Sequence, residues 1–227
     1  MSVTIEKSTL AFLADLSQNN NREWFNENKK RYEAARKNYT SFLDELLEEM
    51  AAFEPVALDQ KGKDLLFRIY RDVRFSNDKR PYKDHFGAYI AEGGRKSIYP
   101  GYYLHLAANN NSFVAGGLWM PPSDYLKAVR QEIDYNLDDF KSIVEAKEFK
   151  KRFGSISGEQ LKTTPKGYDK ENPAIEYLRY KSWNAIMPMD DKTVLSSNFR
   201  DVVLDAFKAV KPLNDFLMEP LKEIGQE

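Results

Sequence analysis

The chain has 227 residues, of which 34 are basic and 35 acidic, so its formal net charge is −1. This balance disfavours a protein that coats nucleic acid through a strongly basic surface, and the lack of cysteine excludes disulfides, thiolate metal sites and a cysteine nucleophile. Hydrophobic residues make up 42% of the chain, which suffices for a sizeable core in one large domain and argues against disorder.

The N-terminal residues lack the basic leader and the long apolar segment of a secretory signal. No apolar run approaches the roughly 20 residues that a membrane-spanning helix needs. We therefore expect a cytoplasmic protein with no membrane partner.

Two helices are predicted in the N-terminal quarter. Ser8 is placed to cap the first, whose leucines recur at helical spacing and which ends at Asn19–Asn21. Asn20 and Glu23 then have the spacing of a capping box. The second helix is expected from about Arg22 to Ala52, and at ~1.5 Å per residue it would be roughly 45 Å long.

The next part of the chain predicts strands. Polar and apolar side chains alternate over 65–74, which indicates a strand, and 76–83 has the turn chemistry of a loop. Three further strands are expected at Phe86–Ala91, Gly101–Ala107 and Phe113–Met120. Short strands joined by short turns favour an antiparallel meander. Gly116-Gly117 is explained by close packing, and Trp119 is assigned to the core.

The C-terminal half predicts mainly helices. They are expected after a Ser123 cap, at Leu137–Phe153 with Gly154 as its end, at Ala174–Lys181 after the start signal Asn172-Pro173, and at Phe199–Leu221 with a break at Pro212. Trp183–Met189 is a further candidate strand. This order indicates an α+β fold, with an antiparallel sheet of about four to six strands packed against several helices and a long N-terminal helix. We predict a single domain over 1–227 that is helical over 1–53, forms the sheet over 64–120, and returns to helices and loops over 121–227.

The most unusual stretch runs from Arg68 to Lys83. Six cations oppose Asp72 and Asp78 there, which gives a local charge of +4 in a near-neutral chain. The cations are Arg68, Arg71, Arg74, Lys79, Arg80 and Lys83. Aromatic residues lie between these cations. They predict that the charged side chains lie against packed aromatic rings rather than on the solvated face of a helix. Guanidinium and ammonium groups bind carboxylates and phosphates, so the stretch predicts a site for a small anionic ligand.

Alternation divides these arginines between two faces of the predicted strand. Arg68 and Arg74 share one face, and Arg71 points to the otherwise apolar face. A buried unpaired arginine costs on the order of several kcal/mol, so Arg71 needs an acid partner or a bulge in the strand. Two alternatives stay open: a structural salt-bridge network with acids such as Glu23 or Glu27, and a nucleic-acid contact surface of interleaved aromatic and basic residues.

Three residues are candidates for proton transfer if the site is catalytic. His85 adjoins the cations and can act as acid or base, Asp72 is the second candidate, and Tyr82 would donate a hydrogen bond. Asp72 and Asp78 are also explained as ion-pair partners. His105 is expected to be a hydrogen-bonded histidine of the sheet. No histidine spacing supports zinc and no cofactor motif appears, so neither a metal nor a cofactor is predicted.

A second group of cations lies in the C-terminal half. It consists of Lys162, Lys166, Arg179 and Lys181. The helix start at Asn172-Pro173 adds free backbone N–H groups, which favour anions. We expect Lys166 and Arg179 to close the anion site opposite the basic stretch.

Three blocks of sequence carry a resemblance that covers nearly the whole chain. They read FLADLSQNNNREWFNENKKRYE, FRIYRDVRFSNDKRPYKDHFGAYI and LKTTPKGYDKENPAIEYLRYKSW. The chain resembles an uncharacterised bacterial family, the domain of unknown function 2461. The resemblance implies a soluble bacterial protein with an α+β fold and no assigned activity. Relatives often carry Asp-His-Pro where this chain has Glu171-Asn172-Pro173, so a general base at that histidine would be missing here.

The sequence therefore predicts a protein that binds a small phosphate- or carboxylate-bearing ligand. The expected ligand contacts are Arg68, Arg71, Arg74, Lys79, Lys83, Lys166 and Arg179. A nucleic-acid contact is the less favoured alternative, together with a purely structural role of the arginines. Neither a reaction nor an oligomeric state is predicted.

Overall fold

The computed structural model describes residues 2–222 and 224 and confirms the predicted α+β class. In that part of the chain an antiparallel sheet has four strands in the spatial order β1-β2-β3-β4. These are β1 (His85–Ile90), β2 (Gly101–Ala107), β3 (Ser112–Leu118) and β4 (Trp183–Met189). The expected meander and the return of the last strand to the sheet are therefore confirmed.

Helices account for most of the remaining regular structure. The α-helices are α1 (Lys7–Gln18), α2 (Arg22–Glu27), α3 (Lys29–Met50), α4 (Gly62–Leu65), α5 (Ser123–Tyr135), α6 (Leu137–Val144), α7 (Lys147–Phe153), α8 (Ile175–Leu178), α9 (Asp191–Val194) and α10 (Phe199–Met218). Short 3-10 turns occur at Pro55–Asp59, Gly94–Lys96 and Glu219–Leu221. No helix among the described residues is both long enough and apolar enough to cross a membrane.

The long N-terminal helix is α3, and it is shorter than predicted. Its 22 residues correspond to about 33 Å. The predicted helix is interrupted at Asn28, whose side-chain amide donates to the carbonyl oxygen of Trp24 at 2.9 Å and so competes with continued helix. The predicted caps are also displaced. Asn21, not Asn20, accepts a hydrogen bond from the Trp24 N–H, and Ser8 lies inside α1.

Two predictions about the C-terminal helices are wrong. The helix expected over 137–153 divides into α6 and α7, because Ala146 adopts an extended conformation with ψ of 141°. Helix α10 continues through Pro212 without the predicted break. Val210 and Leu213 beside that proline are fully buried, and their packing offsets the hydrogen bond that proline cannot donate.

The chain divides into two compact units. Unit 1 consists of the described residues up to 95 together with 103–114 and 188–205. Unit 2 consists of 96–102, 115–187 and the described residues after 205. Strands β2, β3 and β4 contribute residues to both units. The single domain that the sequence suggests stays a prediction.

In unit 1 the two faces of the sheet differ in burial. Phe86, Leu104 and Leu106 point to one face and are at most 1% exposed. Tyr39 of α3 packs there: its ring stacks on Phe86 at 5.7 Å between centroids, and its hydroxyl donates to the Leu104 carbonyl oxygen at 2.8 Å. The other face, which we call the open face, consists of partly exposed residues. These are His85, Tyr89, Tyr103, His105 and Phe113.

Unit 2 has its own aromatic core. The ring of Phe140 lies 5.2 Å from that of Phe216. Gly117 confirms the close packing expected of its glycine pair: φ is 121°, and an added Cβ would lie 2.0 Å from the Trp183 carbonyl oxygen. Trp119 is 66% exposed because it follows the last residue of β3, so its assignment to the core is wrong.

Candidate functional site

Residues 66–84 form an irregular hairpin, which we call the basic hairpin, instead of the regular strand predicted over 65–74. An isolated antiparallel bridge joins Tyr70 in its first arm to Tyr82 in its second. Residues 71–81 are the hairpin tip, and residues 66–70 and 82–84 are the hairpin base. The predicted loop over the end of this stretch is therefore the tip and return of a hairpin.

The second arm of the basic hairpin carries two extra residues. The N–H of Phe67 donates to Gly87 O at 2.9 Å, and the N–H of Lys83 donates to Ile69 O at 2.7 Å. Between these two bonds the first arm advances by two residues and the second by four. The second arm therefore bulges at 84–86, where the chain leaves the hairpin and enters β1.

The hairpin is anchored at its base and exposed at its tip. Tyr82 is 4% exposed, and its ring stacks on that of Phe25 with the centroids 4.0 Å apart. Asn20 accepts from the Tyr82 N–H and donates to the Tyr82 carbonyl oxygen, both at 3.0 Å. Phe75 at the tip is 96% exposed. The aromatic packing that was expected beside the positive charge is thus present at the base, whereas the aromatic ring at the tip is exposed.

Much of the charge at the tip is compensated locally. Arg74 pairs with Asp72 at 2.7 Å, and its Nε donates to the same carboxylate at 3.0 Å. The side-chain hydrogen bonds from Arg74 lower the pKa of Asp72 to about 2. Lys79 donates to the carbonyl oxygen of Val73 at 3.1 Å. Asp72 therefore behaves as the ion-pair partner that the alternative interpretation expected.

A second carboxylate compensates two more arginines. Asp78 lies 2.7 Å from Arg71 and 2.8 Å from Arg80. Hydrogen bonds from Arg80, and then those from Arg71, hold the pKa of Asp78 well below its ordinary value. Arg80 also lies 3.5 Å from Asp84. Arg71 has the acid partner that its position on the apolar side required, and this partner comes from the hairpin itself.

Arg68 and Lys83 at the hairpin base differ from these paired cations. Within residues 2–222 and 224 neither has a carboxylate within 4.0 Å. The Lys83 ammonium lies 5.3 Å from the centroid of the Phe67 ring. Burial, and then the charge of Arg68, lowers the pKa of Lys83. The two cations thus act on each other without an ion-pair partner, and their positive charges add at the hairpin base.

The two histidines of the chain meet on the open face next to these cations. The rings of His85 in β1 and His105 in β2 have centroids 4.1 Å apart. Asp84 Oδ1 lies 3.3 Å from His85 Nδ1. Burial lowers the pKa of both histidines, and that of His105 falls to about 3. The charge of Lys83 lowers both pKa values further.

Tyr103 connects the histidines to the hairpin base. Its hydroxyl lies 3.1 Å from His105 Nδ1, which confirms a hydrogen-bonded sheet histidine, and its ring centroid lies 6.4 Å from that of Phe67. Gly87 makes room for this tyrosine, because an added Cβ would lie 2.4 Å from the Tyr103 hydroxyl. Contacts therefore run from Lys83 through Phe67 and Tyr103 to the histidine pair.

The three candidates for proton transfer occupy different surroundings. His85 lies on the open face, and its side chain is 25% exposed. Asp72 lies at the tip under Arg74. Tyr82 packs its ring in the anchored base, where burial raises the pKa of its hydroxyl. Among residues 2–222 and 224, no group of three or more histidine or carboxylate side chains is placed to hold a metal ion.

The second group of predicted cations belongs to unit 2. Lys166 is exposed, Arg179 is partly buried with its Nε unbonded, and Lys181 pairs with Glu159 at 2.5 Å. The helix at the Asn172-Pro173 start, α8, has four residues instead of the eight predicted, too few for a substantial dipole. The participation of Lys166 and Arg179 in the anion site stays a prediction.

Unit 1 also contains a surface cavity of about 410 Å³ beside α4. Its lining includes the carboxylates Asp59, Asp64 and Glu92 and the single cation Lys61. This charge is opposite to the one that an anionic ligand needs. The cations that the sequence predicted for an anion site lie in the basic hairpin and not at this cavity.

Comparison with known proteins identifies a family and nothing finer. The family model described as "Conserved hypothetical protein (DUF2461)" matches residues 8–216. The chain belongs to this family. No curated protein and no solved structure matches it. Membership of DUF2461 confirms the resemblance seen in the three sequence blocks and assigns no activity.

Sequence reasoning placed the positive charge of this DUF2461 member correctly and missed how it is distributed. The two Asp-x-Arg triplets at 72–74 and 78–80 could have indicated the ion pairs, because residues two apart lie on the same side of an extended chain. Tyr103, which joins Phe67 of the hairpin to His105, was not predicted. Its signal was its position two residues from His105, on the face opposite Leu104.

Proposed function

We propose that this protein binds a small anionic ligand, bearing a phosphate or a carboxylate, at the base of the basic hairpin. Arg68 and Lys83 contact the anion, and the open face with His85 forms the floor. The observation that carries the proposal is that no carboxylate lies within 4.0 Å of Arg68 or Lys83 among the described residues, whereas Arg71, Arg74 and Arg80 are all paired.

Electrostatics supports this assignment. Lys83 is partly buried and next to another cation, so its ammonium is less well solvated than a free surface lysine. An anion at this position relieves the repulsion between Lys83 and Arg68. A hydrogen bond to a charged group contributes about 1.5–3 kcal/mol, so each of the two cations is expected to be worth about 10- to 100-fold in affinity.

Matched pairs of substitutions test the proposal. Binding of inorganic phosphate is measured by calorimetry or by NMR at pH 7 and low ionic strength, where screening is weak. Lys83→Gln is compared with Lys79→Gln, and Arg68→Gln with Arg74→Gln. We expect the hairpin-base variants to bind phosphate at least tenfold more weakly and the tip variants to bind it nearly normally. Equal losses in both pairs, or no phosphate binding by the wild type at millimolar concentration, would contradict the proposal.

The same titration tests the cations of unit 2. Lys166→Gln and Arg179→Gln weaken phosphate binding if these residues also reach the ligand. Unchanged affinity in both variants would confine the site to the hairpin base and the open face. Carboxylate binding is measured in parallel with acetate as the probe.

A nucleic-acid contact at the hairpin tip is the second candidate function. Phe75 is 96% exposed, and the Arg74 guanidinium lies 5.8 Å from the centroid of its ring. Exposed aromatic rings beside arginine stack on unpaired bases. Binding of a single-stranded oligonucleotide should then fall steeply with salt and weaken in Phe75→Ala. Equal binding by wild type and Phe75→Ala would eliminate this candidate.

A further inference from the structure

His85 is close enough to the proposed anion site for the charge of Lys83 to affect it. Unlike Arg68 and Lys83, it is not permanently charged. It follows Lys83 by two residues across the bulge, and the charge of Lys83 acts on it directly. A carboxylate only accepts hydrogen bonds, so the contact with Asp84 requires the proton of neutral His85 to be on Nδ1. The Nε2 atom is then the position that gains a proton, and it makes no hydrogen bond within the described part of the chain.

His105 is far less suited to gain a proton. Its ring lies between those of His85, at 4.1 Å, and Phe113, at 4.4 Å between centroids. Its Nδ1 is engaged by the Tyr103 hydroxyl. No carboxylate contacts it among residues 2–222 and 224. Asp84 therefore favours the charge on His85, which it contacts, rather than on His105.

We propose that His85 is the third cation of the anion site, taking up a proton at Nε2 when a dianion binds beside Arg68 and Lys83. A phosphate-type dianion then meets three positive charges and is selected over a monocarboxylate. This inference rests on the proposed anion-binding function. No bond other than N–H forms, and the proton comes from solvent.

The charges around His85 determine the sign of the effect. Burial lowers its pKa most, Asp84 raises it, and Lys83 and then Arg71 lower it. His105 faces it from β2, and protonation of one ring disfavours protonation of the other. An anion beside Lys83 offsets the repulsive cations and raises the pKa of His85. Because linkage is reciprocal, dianion affinity must rise as pH falls, by up to about tenfold per pH unit between the free and bound pKa values of His85.

Sulfate is the probe that tests this inference, because it stays a dianion throughout the range in which histidine titrates. Sulfate binding is measured by calorimetry at pH 6 in two buffers of different ionisation enthalpy, which gives the number of protons taken up. In parallel, the two histidine Cε1–H signals are followed by NMR with and without sulfate. We expect net proton uptake, an upward shift of the His85 titration only, and weaker binding of acetate than of sulfate.

Two variants complete the test. His85→Gln should abolish the proton uptake and flatten the pH dependence of sulfate affinity, whereas His105→Gln should retain the uptake. Sulfate binding without proton uptake in the wild type would overturn the role of His85 and leave the proposed anion site standing. A lack of sulfate and phosphate binding at every pH would remove the anion site itself, and this inference with it.

Discussion

The tip and the base of the basic hairpin both carry cations, and the two regions differ in whether those cations have carboxylate partners. At the tip, Asp72 and Asp78 neutralise arginines within a few residues, and the chain around them is exposed. At the base, Arg68 and Lys83 have no carboxylate within 4.0 Å among the described residues, and the Lys83 ammonium lies over the Phe67 ring. A count of cations does not distinguish the two regions.

The comparison shows that the fold determines which of several neighbouring cations have a carboxylate partner, and run length alone does not. At the tip, Arg74 and Arg80 each bond the aspartate two residues earlier in the sequence. The base is shaped by the long-range packing of Tyr82 on Phe25 and by the bulge before β1. Predictions that separate the two regions therefore test the account.

The largest expected effect is the loss of the anchor. Tyr82→Ala should lower the free energy of unfolding by about 3 kcal/mol, because it removes a buried ring that stacks on Phe25. Tyr70→Ala removes a ring that is 55% exposed and should cost less than about 1 kcal/mol. Urea unfolding of the two variants gives the comparison. Similar costs for both tyrosines would contradict an anchor that depends on the buried ring of Tyr82 rather than on the exposed ring of its bridge partner Tyr70.

A comparable effect is expected from acid. His105 is neutral in the folded state because burial lowers its pKa to about 3, whereas in the unfolded chain it titrates near 6.5. Its contribution to stability is therefore complete above pH 6.5 and is lost as pH falls towards 3. We expect a loss of about 3 kcal/mol over this range, after allowing for partial solvent exposure. His105→Gln should show a smaller decrease in urea-unfolding free energy between pH 6.5 and 4 than the wild type, and an equal decrease would refute a partly buried, neutral His105.

The smallest effect is expected at the tip. Phe75 is 96% exposed, so Phe75→Ala should change the free energy of unfolding by less than about 0.5 kcal/mol. It should also leave phosphate binding at the base unchanged. A thermal unfolding scan and a phosphate titration of the same variant check both statements. A clear destabilisation would mean that the tip packs on part of the protein in solution.

Secondary structure was predictable where buried and exposed residues alternate regularly along the chain. Strand β2 has its predicted bounds because Leu104 and Leu106 alternate with Tyr103 and His105. The segment over 65–74 has the same alternation and is not a regular strand, because the bulge in its partner arm interrupts the ladder. A bulge arises from the register between the two arms of a hairpin. It cannot be read from the sequence of either arm by itself.

The site was predictable in composition and not in geometry. The run of cations identified the hairpin, and His85 was recognised as a candidate from its position beside Lys83. The approach of His105 depends on β1 and β2 being neighbours with their histidines in register, which spacing along the chain does not reveal. The bonding of Asp78 to Arg71 likewise depends on the hairpin closing.

One measurement tests the difference between base and tip most directly. The lysines are labelled by reductive ¹³C-methylation, which keeps their charge, and the signals of Lys83 and Lys79 are assigned by substitution with arginine. Phosphate is then titrated against a chloride control of equal ionic strength. We predict that Lys83 titrates below the ordinary lysine pKa, that phosphate moves its signal saturably and raises its pKa, and that Lys79 responds to phosphate no more than to chloride. An unmoved Lys83, or equal saturable shifts at both lysines, would contradict the claim that the available charge lies at the hairpin base.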